Sequence, residues 1–298
     1  MILGISLDGS HARGVLMDSA GAVTSRADSL QSDATGAVVA LAKELGAAKG
    51  GQLEAAGLSF PDPNPATWTA APSSLSAAIG QNVTLRTLST GNASVLAETW
   101  YGSVKGARDL VAFSVGPCVS AGIISNGVLL AGAHGLASSV RWLALNPVER
   151  DDYSRLGCLE AEGGSAGIVR RLVWRIKSGD QSCVLDSAGG DYNAITLDSI
   201  LAGARENDGV AISVIRDTAK YLAMAVSNIA AIIDPDVIVL GGILQSAGDL
   251  LVDPIRQECA RRMSPGMTER VRIEVSSLGP DAAPMGAARF AKFGSVLP

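Results

Sequence analysis

The chain has 298 residues, of which 47% are apolar, 18% charged and only 4% aromatic, with 34 glycines and a net charge of −5. The length admits two lobes of ordinary size or one large α/β domain, whose interior must be built from Ala, Val, Leu, Ile and Gly rather than rings. No run of Lys or Arg offers a footprint for nucleic acid or an anionic membrane, and no apolar run of about 18 residues offers a membrane span.

In chain order, residues 1–7 read as a strand, Asp8-Gly9-Ser10 as a tight turn and residues 12–17 as the returning strand, closed by a second turn at Asp18-Ser19-Ala20-Gly21. A turn of this composition either presents N–H groups to a phosphate or simply reverses the chain. Residues 35–45 have helical spacing and end near Gly46, and residues 56–60 form a short strand leading into the loop Pro61-Asp62-Pro63-Asn64-Pro65. After a strand at 83–88, Thr90-Gly91-Asn92 opens a helix through Leu96, Glu98 and Trp100. A strand at 110–113 then leads through Gly116-Pro117-Cys118 into a second strand ending near Ile124, with Asn126-Gly127 as the next turn. Two such hairpins, each feeding strands and helices, suggest a duplicated α/β plan with a cleft between the halves.

Residues 132–147 read as loop and Val148-Glu149-Arg150-Asp151-Asp152 as a solvated charge cluster. A helix opening at Gly157-Cys158-Leu159-Glu160 carries Ile168, Leu172 and Ile176 in one stripe, and residues 177–193 read as a mobile loop. A short helix at 196–205 precedes a long, largely buried one at 210–233, which Asp234-Pro235 terminates. The apolar, mostly β-branched residues 237–240 read as a buried parallel strand. Gly241-Gly242 then lets the backbone bend, either against a ligand or only as a turn, before a helix reopens near 247–251. Residues 254–263 are amphipathic, 271–275 a strand and 282–293 an Ala-rich closing helix. The four cysteines, Cys118, Cys158, Cys183 and Cys259, form no C-x-x-C pair, and the chain opens on apolar Ile2-Leu3-Gly4-Ile5 instead of a basic leader. A reducing, cytoplasmic setting is expected.

Residues 234–249, then Leu278-Gly279-Pro280-Asp281-Ala282-Ala283 and Gly286-Ala287-Ala288, together with Gly132-Ala133-His134-Gly135-Leu136-Ala137 and Gly157-Cys158-Leu159-Glu160, stand in an order that resembles the ROK family of repressors, open reading frames and kinases. The resemblance covers nearly the whole chain. It implies an α/β, two-lobed actin/hexokinase-like (ribonuclease H-like) fold with a cleft between lobes. Residues 1–112 would form the N-terminal lobe, completed by the C-terminal helix 286–298, and residues 113–285 the larger lobe. It also implies ATP with magnesium, a small-molecule ligand in the cleft and a homodimer.

The positions that carry chemistry in the family are altered here. By resemblance the cofactor contacts are Gly9, Ser10, Gly116, Gly241 and Gly242, but Ser6 stands where family kinases carry the magnesium carboxylate, with Asp8 two residues on as a substitute. Pro117 removes an N–H that could have met a phosphate. Thr90 stands at the family's catalytic base, where a hydroxyl cannot act as base near pH 7; its expected role is to cap the following helix. The substrate positions read Asn92, Ser139, Trp142 and Glu160, with Ser73 after Pro72, and of the sugar contacts only Glu160 matches. The zinc positions of many relatives read Trp142, Asp151, Tyr153 and Cys158, so no zinc is expected. The pattern implies a protein that keeps the cleft as a nucleotide- or sugar-binding or regulatory site with impaired catalysis. The alternative is a divergent ATP-dependent sugar kinase using Asp8. DNA binding is not expected, because the kinase-like strand starts at Ile2 where family repressors carry a helical domain first.

Overall fold

The computed structural model describes residues 1–8, 11–30, 33–47, 52–61, 70–80 and 83–295. Two five-stranded sheets organise the chain. The first contains β1 (Ile2–Asp8), β2 (His11–Met17), β3 (Val23–Leu30), β4 (Ala55–Phe60) and β5 (Thr84–Ser89), in the order β3-β2-β1-β4-β5. The second contains β6 (Leu110–Val115), β7 (Val119–Ser125), β8 (Val128–Leu129), β9 (Val237–Gly242) and β10 (Arg272–Val275), in the order β10-β9-β6-β7-β8. In each, three antiparallel strands are followed by two parallel ones, so the duplication suggested by the hairpins is a duplication of sheet topology. The helices are α1 (Ala34–Ala47), α2 (Ala70–Ile79), α3 (Thr90–Tyr101), α4 (Tyr153–Leu156), α5 (Cys158–Gly163), α6 (Ser165–Lys177), α7 (Cys183–Ser187), α8 (Leu197–Arg205), α9 (Gly209–Ile233), α10 (Ile243–Ser246), α11 (Gly248–Arg262), α12 (Pro265–Arg270) and α13 (Ala282–Phe293). Among the described residues no helix is long and apolar enough to cross a membrane.

Strand alternation decides what each face of β1 does. Leu3, Ile5 and Leu7 pack into a core with Val38 and Leu41 of α1 and Leu75 of α2. Each such buried side chain contributes about 1.5–3 kcal/mol as an upper bound. The opposite face turns to α13. A Cβ on Gly4 would lie 1.9 Å from the Pro284 carbonyl oxygen, and one on Gly57 of β4 would lie 1.9 Å from that of Ala287. The closing helix therefore rests backbone-to-backbone on the first sheet, and only glycine permits it. Its other side packs on α3, which in turn lies on β6 and β7. These two helices form the layer between the sheets, while Val111, Phe113 and Val115 point away into a second core with α9. Asp208 caps α9 by accepting the Ala211 N–H at 2.7 Å, and the helix ends at Asp234 in the left-handed region (φ 49°), ahead of Pro235.

The structure departs from the sequence reading in several places. Strand β3 was not expected; it is an edge strand on which only Ala27 is buried. The helix opening at Cys158 is two helices, broken at the extended Gly164 because the Ser165 N–H turns aside to the Gly116 carbonyl at 2.9 Å. Residues 177–193 include α7, capped by Ser182 and anchored by buried Val184, so the stretch is not loop throughout. Helix α11 starts at Gly248 and carries Pro254 inside it. Of the charge cluster, Asp152 bonds Arg170 and faces Arg150 at 3.6 Å, beside the buried Glu162.

Candidate functional site

Beyond Gly4, the inner face of β1 continues as Ser6 and Asp8, and the β1–β2 register sets Arg13 opposite Ser6 and His11 opposite Asp8. All four line a cavity of about 150 Å³ between the sheets. The far wall is Ser114 at the end of β6 with Gly241 and Gly242 at the end of β9, and the floor includes Ser276. Helix α3 contributes Thr90, Ser94 and Glu98, whose spacing of four puts them on one helix face.

Asp8 reaches across the cavity. Its Oδ1 accepts the Cys118 N–H at 3.2 Å, in the turn between β6 and β7, and burial pushes its carboxyl up to about 6 against the opposing pull of that hydrogen bond and of His11. Arg13 is saturated: Nε and Nη2 meet Asp281 and Nη1 meets Asp28, each at 2.7 Å, while Arg26 holds the second Asp281 oxygen at 2.6 Å. His11 Nε2 lies 3.1 Å from Asp28. Glu98 is only 1% exposed; burial raises its pKa and the Ser276 hydroxyl donates to its Oε1, while Oε2 has no hydrogen-bond partner among the described residues.

Ser89, not Thr90, caps α3, its Oγ accepting the Asn92 N–H at 3.2 Å. This corrects the expected role of Thr90, which is the first helical residue and whose buried hydroxyl has no hydrogen-bond partner among the described residues. Gly241 and Gly242 stand on the cavity wall as expected. Gly242 has φ 68°, and a Cβ there would meet the Val115 oxygen at 2.1 Å. The backbone groups of Gly116 are both engaged internally, N–H to Cys118 and carbonyl to Ser165. Gly9 and Ser10 lie outside the described residues.

The expected substrate residues do not assemble around Thr90. Asn92 is buried outside the cavity. Ser139 lines a separate small hollow with Ser89, Gly91 and Arg141, its hydroxyl donating to the Leu136 carbonyl at 2.7 Å. Trp142 is 45% exposed, under the Arg141 guanidinium. Glu160 is 7% exposed and tied down, Oε1 to Arg141 at 2.8 Å and Oε2 to the Val119 N–H at 3.0 Å. At the positions related to zinc, Cys158 accepts the Leu145 N–H at 3.4 Å, and the Tyr153 hydroxyl donates to Glu162 at 2.5 Å.

A model of the ROK family matches residues 61–293. The chain belongs to the ROK family. It is 29% identical over 198 residues to a glucokinase of Halalkalibacterium halodurans, covering 65% of this chain and 59% of that one. It is likewise 29% identical over 201 residues to a xylose repressor of Caldicellulosiruptor bescii, covering 65% and 49%. The matched part thus spans less than two thirds of either relative. A ROK glucokinase of Streptomyces griseus, solved with glucose and AMPPNP, superposes with a TM-score of 0.82 at 23% identity, covering 98% of this chain and 99% of that one. The ROK chain therefore has the two-lobed actin/hexokinase-like fold that its motifs implied.

Six polar lining residues of this ROK fold were missed from the sequence: His11, Arg13, Ser94, Glu98, Ser114 and Ser276. The antiparallel register of β1 and β2 pairs Asp8 with His11 and Ser6 with Arg13, and the four-residue spacing aligns Glu98 with Thr90. Ser276 had no local signal.

Proposed function

We propose that this ROK chain is a sugar-kinase-like protein with impaired phosphotransfer, which binds a sugar or a nucleotide in the cleft between a lobe formed by residues 1–112 with the closing helix and a lobe formed by residues 113–285. The observation that carries this reading is the head of α3. Where family kinases place the base, Thr90 offers a hydroxyl that cannot take a proton from a sugar near pH 7. The two carboxyl groups on the cavity wall each have one oxygen engaged within the chain, Asp8 by the Cys118 N–H and Glu98 by the Ser276 hydroxyl. Relatives that are glucokinases and repressors support the ligand classes and are compatible with a binding role.

A magnesium-bound triphosphate does not fit this donor set. Ser6 supplies a neutral hydroxyl in place of a carboxylate, the Arg13 nitrogens are taken by Asp28 and Asp281, and Pro117 has no N–H to give. The test is ADP release with Mg-ATP over a panel of hexoses, amino sugars and polyols, beside an active ROK glucokinase, with sugar binding followed by calorimetry. Binding without sugar-dependent turnover is expected; turnover that tracks one sugar would overturn the reading.

One observation favours the second reading, a divergent ATP-dependent sugar kinase. Asp8 stands in the cleft with a carboxyl near 6, a value suited to a base at neutral pH. In that case Asp8→Asn abolishes turnover while the fold survives.

A further inference from the structure

We infer that Asp8 is a specificity-determining residue: its carboxylate fills the seat that an anionic ligand group would take between the two hairpins, so the cleft favours an uncharged polyhydroxy ligand over a phosphorylated one. The inference rests on reading the cleft as a small-molecule site and names the ligand class for it.

A full account of the amides in the second turn carries the argument. The Gly116 N–H is spent on the Cys118 carbonyl, Pro117 has none, the Cys118 N–H is held by Asp8, and the Val119 N–H is held by Glu160. The turn that can offer amides to an anion thus has both of its outward donors occupied by carboxylates of the chain itself. Gly116 makes room for this: a Cβ there would sit 3.1 Å from Asp8 Oδ2. The cations do not compensate. Arg13 is saturated by Asp28 and Asp281, and His11 faces Asp28. An incoming phosphoryl group would meet the Asp8 charge and would have to displace it from the Cys118 amide. Deeper in, the wall is hydroxylic, with Thr90, Ser94, Ser114 and Ser276, and the Thr90 hydroxyl has no hydrogen-bond partner among the described residues. That surface matches the hydrogen bonds of neutral hydroxyl groups.

The experiment is calorimetric titration of Mg-AMPPNP into wild type, Asp8→Asn and Asp8→Ser, each first shown to unfold cooperatively. Both variants remove the charge, and the second guards against a folding defect in the first. Affinity is expected to rise about tenfold or more in the variants, the scale of one charge-assisted hydrogen bond added and one repulsion removed. Equal or weaker binding than wild type, or no binding in any of the three, overturns the inference, since removing the charge would then have opened no seat. A hexose panel titrated into wild type separately reports on the sugar-binding part of that reading, and binding of no sugar counts against it.

Discussion

Gly286 lies where the closing helix crosses α3, and replacing it with alanine tests whether the layer between the sheets is held by backbone contact. A Cβ there would sit 1.7 Å from the Ala93 carbonyl oxygen, 2.5 Å from its carbon and 3.0 Å from its Cα. An ordinary carbon-to-oxygen approach is about 3.3 Å, so the helices must separate by roughly 1.5 Å. Neither can retreat freely, because α13 is already seated on Gly4 and Gly57, and α3 on β7, where a Cβ at Gly91 would lie 1.9 Å from the Ala121 oxygen. Overpacking of this kind costs about 3 kcal/mol or more, against about 1 kcal/mol from the better helix propensity of alanine. The net loss of about 2 kcal/mol lowers Tm by roughly 4 °C in a chain of this size. The assay is thermal unfolding, with Gly266→Ala as control, since that helical glycine has no atom within 4 Å of its would-be Cβ. If Gly286→Ala is as stable as the control, the close-approach argument is wrong.

Three more outcomes follow from the site and its surroundings. Because burial raises Asp8 from its ordinary 3.8 to about 6, the folded state holds that proton longer than the unfolded chain, so wild type loses stability relative to Asp8→Asn as pH rises between those values; a difference in urea midpoints that stays flat from pH 4 to 7 would contradict this. Glu162→Ala strips the partner from Arg171, 2.9 Å away, and the acceptor from Tyr153, and is expected to cost about 3–5 kcal/mol in chemical denaturation. A cost under about 1 kcal/mol would mean that the pair behaves as a surface one. The double variant Ser6→Asp with Thr90→Asp puts carboxylates at the two positions that the resemblance aligns with the kinase magnesium and base carboxylates, and is expected to raise sugar-dependent ADP release above wild type, measured with the same panel; no rise would count against that alignment.

What was legible in the sequence was whatever the chain writes locally. The hairpin of β1 and β2 follows from apolar strands around small turn residues, and the end of α9 from Asp234-Pro235. Asp8, Thr90, Gly241 and Gly242 all line the cavity because strand ends and a helix start fix where they point. Strand β3 was illegible because a solvated edge needs little apolar alternation. The orientations of Glu160 and Trp142 were not legible because they depend on Arg141 and the Val119 amide, contacts between segments remote in sequence. The cap was assigned one residue late, since Ser89 and Thr90 carry the same hydroxyl chemistry and only backbone geometry separates them.

The seating of α13 on Gly4 and Gly57 also has a bearing on the order of events during synthesis. Strands β1 and β4 leave the ribosome well before the helix that covers their inner face, which begins at residue 282. Until that segment emerges, this face of the first sheet is a bare glycine-lined surface, unable to bury Ile2, Val15 and Met17 against Met285 and Ala288. The second sheet, with its own core around α9, can consolidate while the first waits. The first sheet is therefore finished after the second, and the nascent chain must keep its open apolar face soluble until the segment 282–293 emerges.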